Sequence, residues 1–413
     1  MARLSTAIAE LIPERLEKPL RSPSFRNLAF GKAISFLGDW VMVAVLVGWI
    51  YQSTSSIAQV ALLMAIRLAP PIVGGGLAAS IVDRLPRQRV LVWSEFACAA
   101  TIAGALFGVV AGSRAIVFAF VGLCGLVGMI STVAGNALIP MVVHEDELPA
   151  ANGIHSVGQE VAMALGALAG AATLALGGAT AGLAANLLSY GIAVVFYSRI
   201  RVECNLGASV AGGRGGLVEG LRYIARSRPL TVVVGTFALA TLSTGLVNAT
   251  LPKFTADLGL GASGYGWSLA ALALGMITGE ALTGAIAQRI EPRWLGAGLA
   301  GMGVFFLAFA WSGTAVFALL VFAAFGIANG FAEVVMLTAI HEQADATYQG
   351  RVFGVGSTIW RTTMLGAVAL APVVDSIASP SQAITAAAAV LLVGAAVVQV
   401  TLRPSQRLAT ATA

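Results

Sequence analysis

Hydrophobic positions run along this chain in long blocks, and polar residues gather in the short breaks between them. A helix that crosses a bilayer needs about 20 mostly apolar residues. Twelve blocks approach or exceed that length: Phe25–Ile50, Ile57–Ser80, Val90–Ala111, Ala115–Ile139, Gln159–Leu176, Ala181–Ser198, Pro229–Leu251, Ser263–Gln288, Trp294–Trp311, Ala315–Ile340, Val352–Ile377 and Ala383–Leu402. A longer polar stretch between the sixth and seventh, Arg199 to Arg228, holds Gly212, Gly213, Gly215 and Gly216. It reads as a flexible linker. The pattern predicts an all-α polytopic membrane protein of twelve transmembrane helices in two six-helix halves. The expected division is a cytosolic N-terminal segment (1–24), a first half (25–198), a cytosolic linker (199–228), a second half (229–402) and a cytosolic tail (403–413).

Composition agrees with the blocks. Only 10% of the 413 residues are charged and 58% are hydrophobic, whereas soluble domains carry about 25% charge. Most of the surface must therefore face lipid. The net charge of +5 is spread over short loops, which gives no reason to expect nucleic acid. Cys98, Cys124 and Cys204 are odd in number and lack metal-ligand spacing, so packing is expected rather than a disulfide or metal site. Met1 to Arg26 mixes Glu10, Glu14 and Glu17 with basic residues and has no uninterrupted apolar core. It is not the pattern of a signal peptide, and reads as a cytosolic segment able to lie on the membrane surface as an amphipathic helix.

Lys and Arg then set the expected orientation. With both termini cytosolic, 19 of the 24 basic residues fall in inner segments, among them Arg84, Arg87 and Arg89 between spans two and three. The outer loops hold only Arg114 and Lys253, and Lys32, Arg67 and Arg361 fall within spans. Six plus six spans joined by a cytosolic linker is the plan of a two-half rocking transporter. The basic turn at Asp83–Arg89 has a weaker counterpart at Gln288–Arg293. Span five carries Gly166-Ala-Leu-Ala-Gly170, and span eight carries Gly275-Met-Ile-Thr-Gly279. Small residues four apart let helices approach closely. They can serve static packing or an interface that moves between the halves, and their place on spans five and eight favours the moving interface only if the fold is the one implied by the family likeness described next.

Several stretches, in order, carry a family likeness. They are Phe25-Arg-Asn-Leu-Ala leading to Ser35-Phe-Leu-Gly-Asp39-Trp40, the turn Ala79–Arg89, Asn136-Ala-Leu-Ile-Pro140 with Ala151-Asn152-Gly153, Glu219-Gly-Leu-Arg-Tyr223, and Gly350-Arg351-Val352-Phe353-Gly354. In these the chain resembles the major facilitator superfamily, and within it bacterial exporters of the drug-efflux and enterobactin-exporter-like branch. The turn is similar to the superfamily's loop signature, Gly-x-x-x-Asp-Arg-x-Gly-Arg-Arg. Asp83, Arg84 and Arg87 match it, Ala79 and Pro86 replace its glycines, and Gln88 replaces a basic residue. The Gly166–Gly170 motif is similar to the antiporter signature of span five, with Ala167 in place of its usual proline. The resemblance implies the fold and secondary transport, most often proton-driven export of a small molecule. It also implies that the charged turn sits against the inner end of span eleven, near Val352, where Asp83 can face a helix N-terminus. Arg84 and Arg87 can there pair with acids or lipid phosphates and help hold an inner gate shut. The alternative is that these arginines only set topology.

Ionisable residues inside spans point to function. Asp39 and Arg67 lie about 11 and about 10 residues from the outer ends of spans one and two, close to mid-membrane. Glu280, Glu333 and Arg361 lie about 8, 6 and 9 residues from the inner ends of spans eight, ten and eleven. A carboxylate balanced between desolvation and a nearby cation can load and release a proton. Asp39 is thus either the proton carrier or one member of a permanent ion pair with Arg67. Glu280 and Glu333 are candidates for proton or substrate binding, and Arg361 for neutralising Glu333 or holding an anionic substrate group. Glu95 and Glu160 lie within about a turn or two of the inner boundary, where an acid can reach water, and read as structural, Lys32 as able to snorkel to the interface. Trp40, Trp49, Phe305, Phe306 and Met336 can line an apolar cavity or pack between helices, and Asn136, Asn186 and Asn248 can hydrogen-bond across helices. His144, His155 and His341 are too dispersed for a metal site.

The function expected is secondary active export of a small amphipathic molecule, with a proton gradient as energy source, no cofactor, lipid as surroundings, and the chain acting as a monomer. The alternative is a transport-inactive sensor or assembly partner with a transporter fold. An enzyme is not expected, because no nucleophile–base pairing, metal spacing or phosphate loop is present.

Overall fold

The structure, a computed structural model, describes residues 14–144, 147–201, 215–286, 291 and 293–402. Among them there is no strand. Arg3, Cys204, Gly212, Gly213, Arg289, the tail from Arg403, and most of the turn Gln288–Arg293 lie outside the described residues, as do the side chains of Ala79, Asp83 and His341. Each predicted span is a helix. Spans one to four are Pro23–Thr54, Ile57–Arg84, Arg87–Val110 and Arg114–Val142. Spans seven to twelve are Arg228–Asp257, Gly264–Ile286, Trp294–Ala310, Ala315–Gln343, Ala346–Ile377 and Pro380–Thr401. Two shorter helices, Glu14–Arg21 and Gly215–Arg226, precede the first half and lie in the linker.

Spans one, two, four, seven, ten and eleven outrun their apolar blocks, because backbone hydrogen bonding continues where hydropathy stops. Span five begins at Leu148, so Ala151, Asn152 and Gly153, which lie between the fourth and fifth apolar blocks, are helical. Spans five and six form one run, Leu148–Ser198, broken only at Gly178 (φ 69°, ψ −172°). That backbone region is essentially restricted to glycine. A Cβ at Gly178 would meet nothing within 4 Å, so the cost of Gly178→Ala is conformational alone. We expect a loss of about 1–3 kcal/mol, read as a lower melting temperature of the purified protein, with no change in packing.

Among the described residues eight helices can by length and composition cross a membrane, one of them long enough to hold spans five and six, with Ile57–Pro70 and Trp294–Ala310 as shorter apolar helices. Apolar side chains cover the outside: Trp93, Val110, Leu176 and Trp311 are mostly exposed. A water-facing surface does not tolerate such an apolar coat, whereas lipid does.

Contacts divide the chain into two compact units. The first holds Met1–Thr54, Leu62–Ala211 and Ala262–Ala270, the second Ser55–Ala61, Gly212–Gly261 and Ala271–Ala413. In the first, span one is the interior helix: 61% of its most apolar window is buried, against 17–44% for the other candidate spans. Glycines make this possible. A Cβ on Gly170 would fall 2.7 Å from Ala44 Cβ, and one on Gly166 would strike the Leu37 carbonyl and Trp40 Cβ. Gly31 makes room for the Tyr197 ring, and Gly38 for Asn186 and Ser189 of span six.

In the second unit, spans eight and ten interlock. Gly275 and Gly279 lie against the carbonyls of Ala323 and Ile327, and Gly326 and Gly330 lie against those of Leu272 and Met276. Gly166, Gly170, Gly275 and Gly279 thus each serve a close helix contact. Each pair packs within its own unit, span five on span one and span eight on span ten. The sequence shows that a helix carries small residues but not which partner they face.

The linker helix is fastened to the start of span eleven within the second unit. Tyr223 Oη donates to Asp345 Oδ2 at 3.1 Å and accepts from Asp345 N at 3.0 Å. Its ring stacks on Tyr348 at 4.3 Å. Arg351 pairs with Glu219 at 3.4 Å, lies over the Tyr348 ring, and offers its carbonyl to the space left by Gly220. Two stretches quoted separately above are thus contact partners.

Candidate functional site

Asp39 projects from span one, the interior helix of its unit, and is half-buried. Tyr190 of span six donates its hydroxyl to Asp39 Oδ1 at 2.5 Å. Cys124 of span four lies 3.6 Å from the same hydroxyl. Cys98 and Cys124 are both buried free thiols. Arg67 sits close enough to act electrostatically on Asp39, but among the described residues no ion pair within 4 Å joins them. Its guanidinium lies 5.9 Å from the centre of the Trp40 ring. The arginine is therefore held over an aromatic face one residue from the carboxylate, and Asp39 takes its hydrogen bond from a neutral phenol. Among the described residues that arrangement leaves the carboxylate without a direct cation partner.

One and two turns nearer the start of span one stand Ser35 and Lys32, on the same face as Asp39 by their spacing. Ser35 Oγ donates to Glu95 Oε2 at 2.9 Å, and Ser131 Oγ to Glu95 Oε1 at 2.6 Å. Glu95 is only 1% exposed and Lys32 9%. The Lys32 head lies against Gly135, where a Cβ would come within 2.6 Å of Nζ, and donates weakly to Asn136 Oδ1 at 3.5 Å. Two readings from sequence are corrected here. Lys32 does not snorkel, because Gly135 opens a slot for its head beside span four. Glu95 does not reach water, because hydroxyls of spans one and four close over both of its oxygens. The signal that could have found them was the spacing Lys32, Ser35, Asp39 along one face.

In the second unit, Glu280 follows Gly279 in the interlocked pair, and Gly330 lies against its backbone nitrogen. Glu280 and Glu333 are within electrostatic reach of each other, and both are half-buried. Arg361, on span eleven, is also half-buried, and among the described residues it forms no ion pair with either. Beside them an apolar groove of about 320 Å³ is lined by Gly279, Leu282, Thr283, Trp294, Phe305, Ile327, Ala328 and Phe331. Phe305 thus lines a cavity. Phe306 instead stacks on Phe325 at 4.0 Å inside an aromatic cluster with Phe309 and Phe322, and Met336 is buried. In the charged turn, Arg87 donates to the Ala137 carbonyl at 3.3 Å and lies 3.1 Å from Met141 Sδ. It tethers the turn to the end of span four next to Pro140. Arg84 is exposed.

A model of the transmembrane secretion effector family matches residues 17–412. The chain belongs to this family. Among solved structures, the effector is similar to a bacterial homolog of the human lysosomal transporter Spinster in an inward-facing, unoccupied conformation. That match has 16% identity and a TM-score of 0.72, and covers 94% of this chain and 99% of that one. It is also similar to an auto-inhibited peptide transporter of the POT family, with 13% identity, a TM-score of 0.66, and coverage of 93% and 97%. No curated protein matches the chain. Similarity at this identity shows the fold, and the effector has the twelve-helix major facilitator fold. It is a multi-pass membrane protein of transporter type, and family and neighbours are transporters rather than enzymes.

Proposed function

We propose that this effector is a secondary active exporter, coupling proton entry to the outward movement of a small amphipathic molecule such as a drug, siderophore or secondary metabolite. It works by alternating access in the bacterial inner membrane, as a monomer with both termini cytoplasmic, in the manner of the drug-efflux and enterobactin-exporter-like branch. The observation that carries this reading is Asp39, a carboxylate on the interior helix that takes a hydrogen bond from Tyr190 and has no direct cation partner among the described residues. A protonated Asp39 and a cationic cargo group compete for the same place, and that competition couples the two fluxes. Glu280 and Glu333 are a second acidic pair, available for proton or cargo, with Arg361 of span eleven as the candidate cation for an anionic cargo group. The test uses liposomes carrying the purified protein and ethidium as probe. Ethidium movement should accelerate several-fold when a proton gradient is imposed. Equal rates with and without the gradient would rule out proton coupling, and no movement under either condition would favour the transport-inactive sensor.

A further inference from the structure

We propose that Glu95 is a second proton-exchanging carboxylate of the first half, placed between Asp39 and the start of span one, with Lys32 as its counter-charge. The inference rests on the reading of Asp39 as the coupling group and extends it to a path. Three levels of polar side chains follow one face of span one. The first is Asp39 with Tyr190, Cys124 and Cys98. The second is Ser35 with Glu95 and Ser131, and the third is Lys32 with Asn136. Cys98 lies one turn from Glu95 on span three, so the first two levels are joined along two helices at once.

Buried polar groups are almost always satisfied, and each exception calls for an explanation. Three exceptions lie beside this series: Trp40 Nε1, Asn186 Nδ2 and Tyr197 Oη are buried donors without a partner among the described residues. Asn186 and Tyr197 lie against Gly38 and Gly31 of span one. Lys32 has three N–H donors and a single long hydrogen bond. Water is the ordinary partner of such buried donors, and water held beside this face would link the three levels into a route along which a proton can pass. The charged and titratable groups facing Glu95 are Lys32 and Asp39 of span one, Cys98 of span three, and Tyr190 and Tyr197 of span six. The step is a single proton transfer. The Asp39 carboxyl O–H proton passes, through the Ser35 hydroxyl or water, to a Glu95 carboxylate oxygen. Asp39 is left as the carboxylate, and Lys32 balances Glu95 once that proton has gone on.

The test is infrared difference spectroscopy of the purified full-length protein between mildly acidic and mildly alkaline buffer, which needs no cargo. Wild type should show a carboxylic-acid stretch that appears on acidification and is lost in Glu95→Gln. Ser131→Ala, which removes the short hydrogen bond and keeps the carboxyl, should shift that band without abolishing it. Identical difference spectra for wild type and Glu95→Gln, or a band unmoved in Ser131→Ala, would overturn the inference. The same measurement on Asp39→Asn reports on Asp39 separately. Loss of its band with the Glu95 band absent from the start would retain the coupling reading and reject the path.

Discussion

Asp39→Asn should lower gradient-driven ethidium transport by about 100-fold or more, the usual contribution of a positioned proton-transfer group. The asparagine amide has nearly the shape of the carboxyl and still accepts the Tyr190 hydroxyl through its carbonyl oxygen, so the protein should fold and insert. What it cannot do is bind and release a proton. Ethidium exchange down its own gradient, which requires no net proton movement, should therefore persist in the variant. The two rates together separate coupling from damage. Undiminished gradient-driven transport would remove Asp39 from the mechanism. Loss of exchange and driven transport alike would mean that the substitution disrupted the site rather than the coupling.

The second large effect is on stability. Gly279→Ala places a methyl group against the Ile327 carbonyl, carbonyl carbon and Cα, all of them backbone. Backbone of a packed helix cannot turn aside as a side chain can, so spans eight and ten must separate. In a helix interior the exchange of glycine for alanine ordinarily stabilises by about 1 kcal/mol. Overpacking costs about 1–3 kcal/mol, at times more, and the loss of close approach along the interlock adds to it. We expect a net destabilisation of about 2 kcal/mol, visible as a lowered melting temperature in detergent. Gly284→Ala, on the same helix, has nothing within 4 Å of its new methyl and should be neutral or stabilising. A similar loss at both positions would show that glycine itself, and not the contact with span ten, is what matters.

The architecture was legible in the sequence because an apolar block records a bilayer crossing locally, residue by residue. Asp39 and Arg67 were legible for a related reason: depth can be counted along a helix. Counting depth does not reveal rotation or partners. It could not show that Arg67 lies over Trp40 rather than on Asp39, or that the donor to Asp39 is Tyr190, 151 positions away. It misjudged Lys32 and Glu95, because nearness to the end of an apolar block was taken as nearness to water. Span one begins two residues before its block and packs inside its unit, so those groups stay enclosed. The glycines left their partners open in a different way. Their spacing announces a close contact, and span ten repeats it in Gly326 and Gly330, but neither pattern says which helix the other meets. The linker stretch Glu219–Tyr223 and the stretch around Arg351 were each noticed, yet only folding brings Tyr223 onto Asp345 and Tyr348.

The break at Gly178 also bears on how the protein is made. A single residue joins spans five and six, too short a connection for one span to settle in the bilayer while the other waits in water. At about 5–20 residues per second the second span leaves the ribosome within seconds of the first. The two must therefore enter the membrane together, as one helical hairpin, and the join offers no loop at which a protease could cut or an epitope tag could be inserted without prising the hairpin apart.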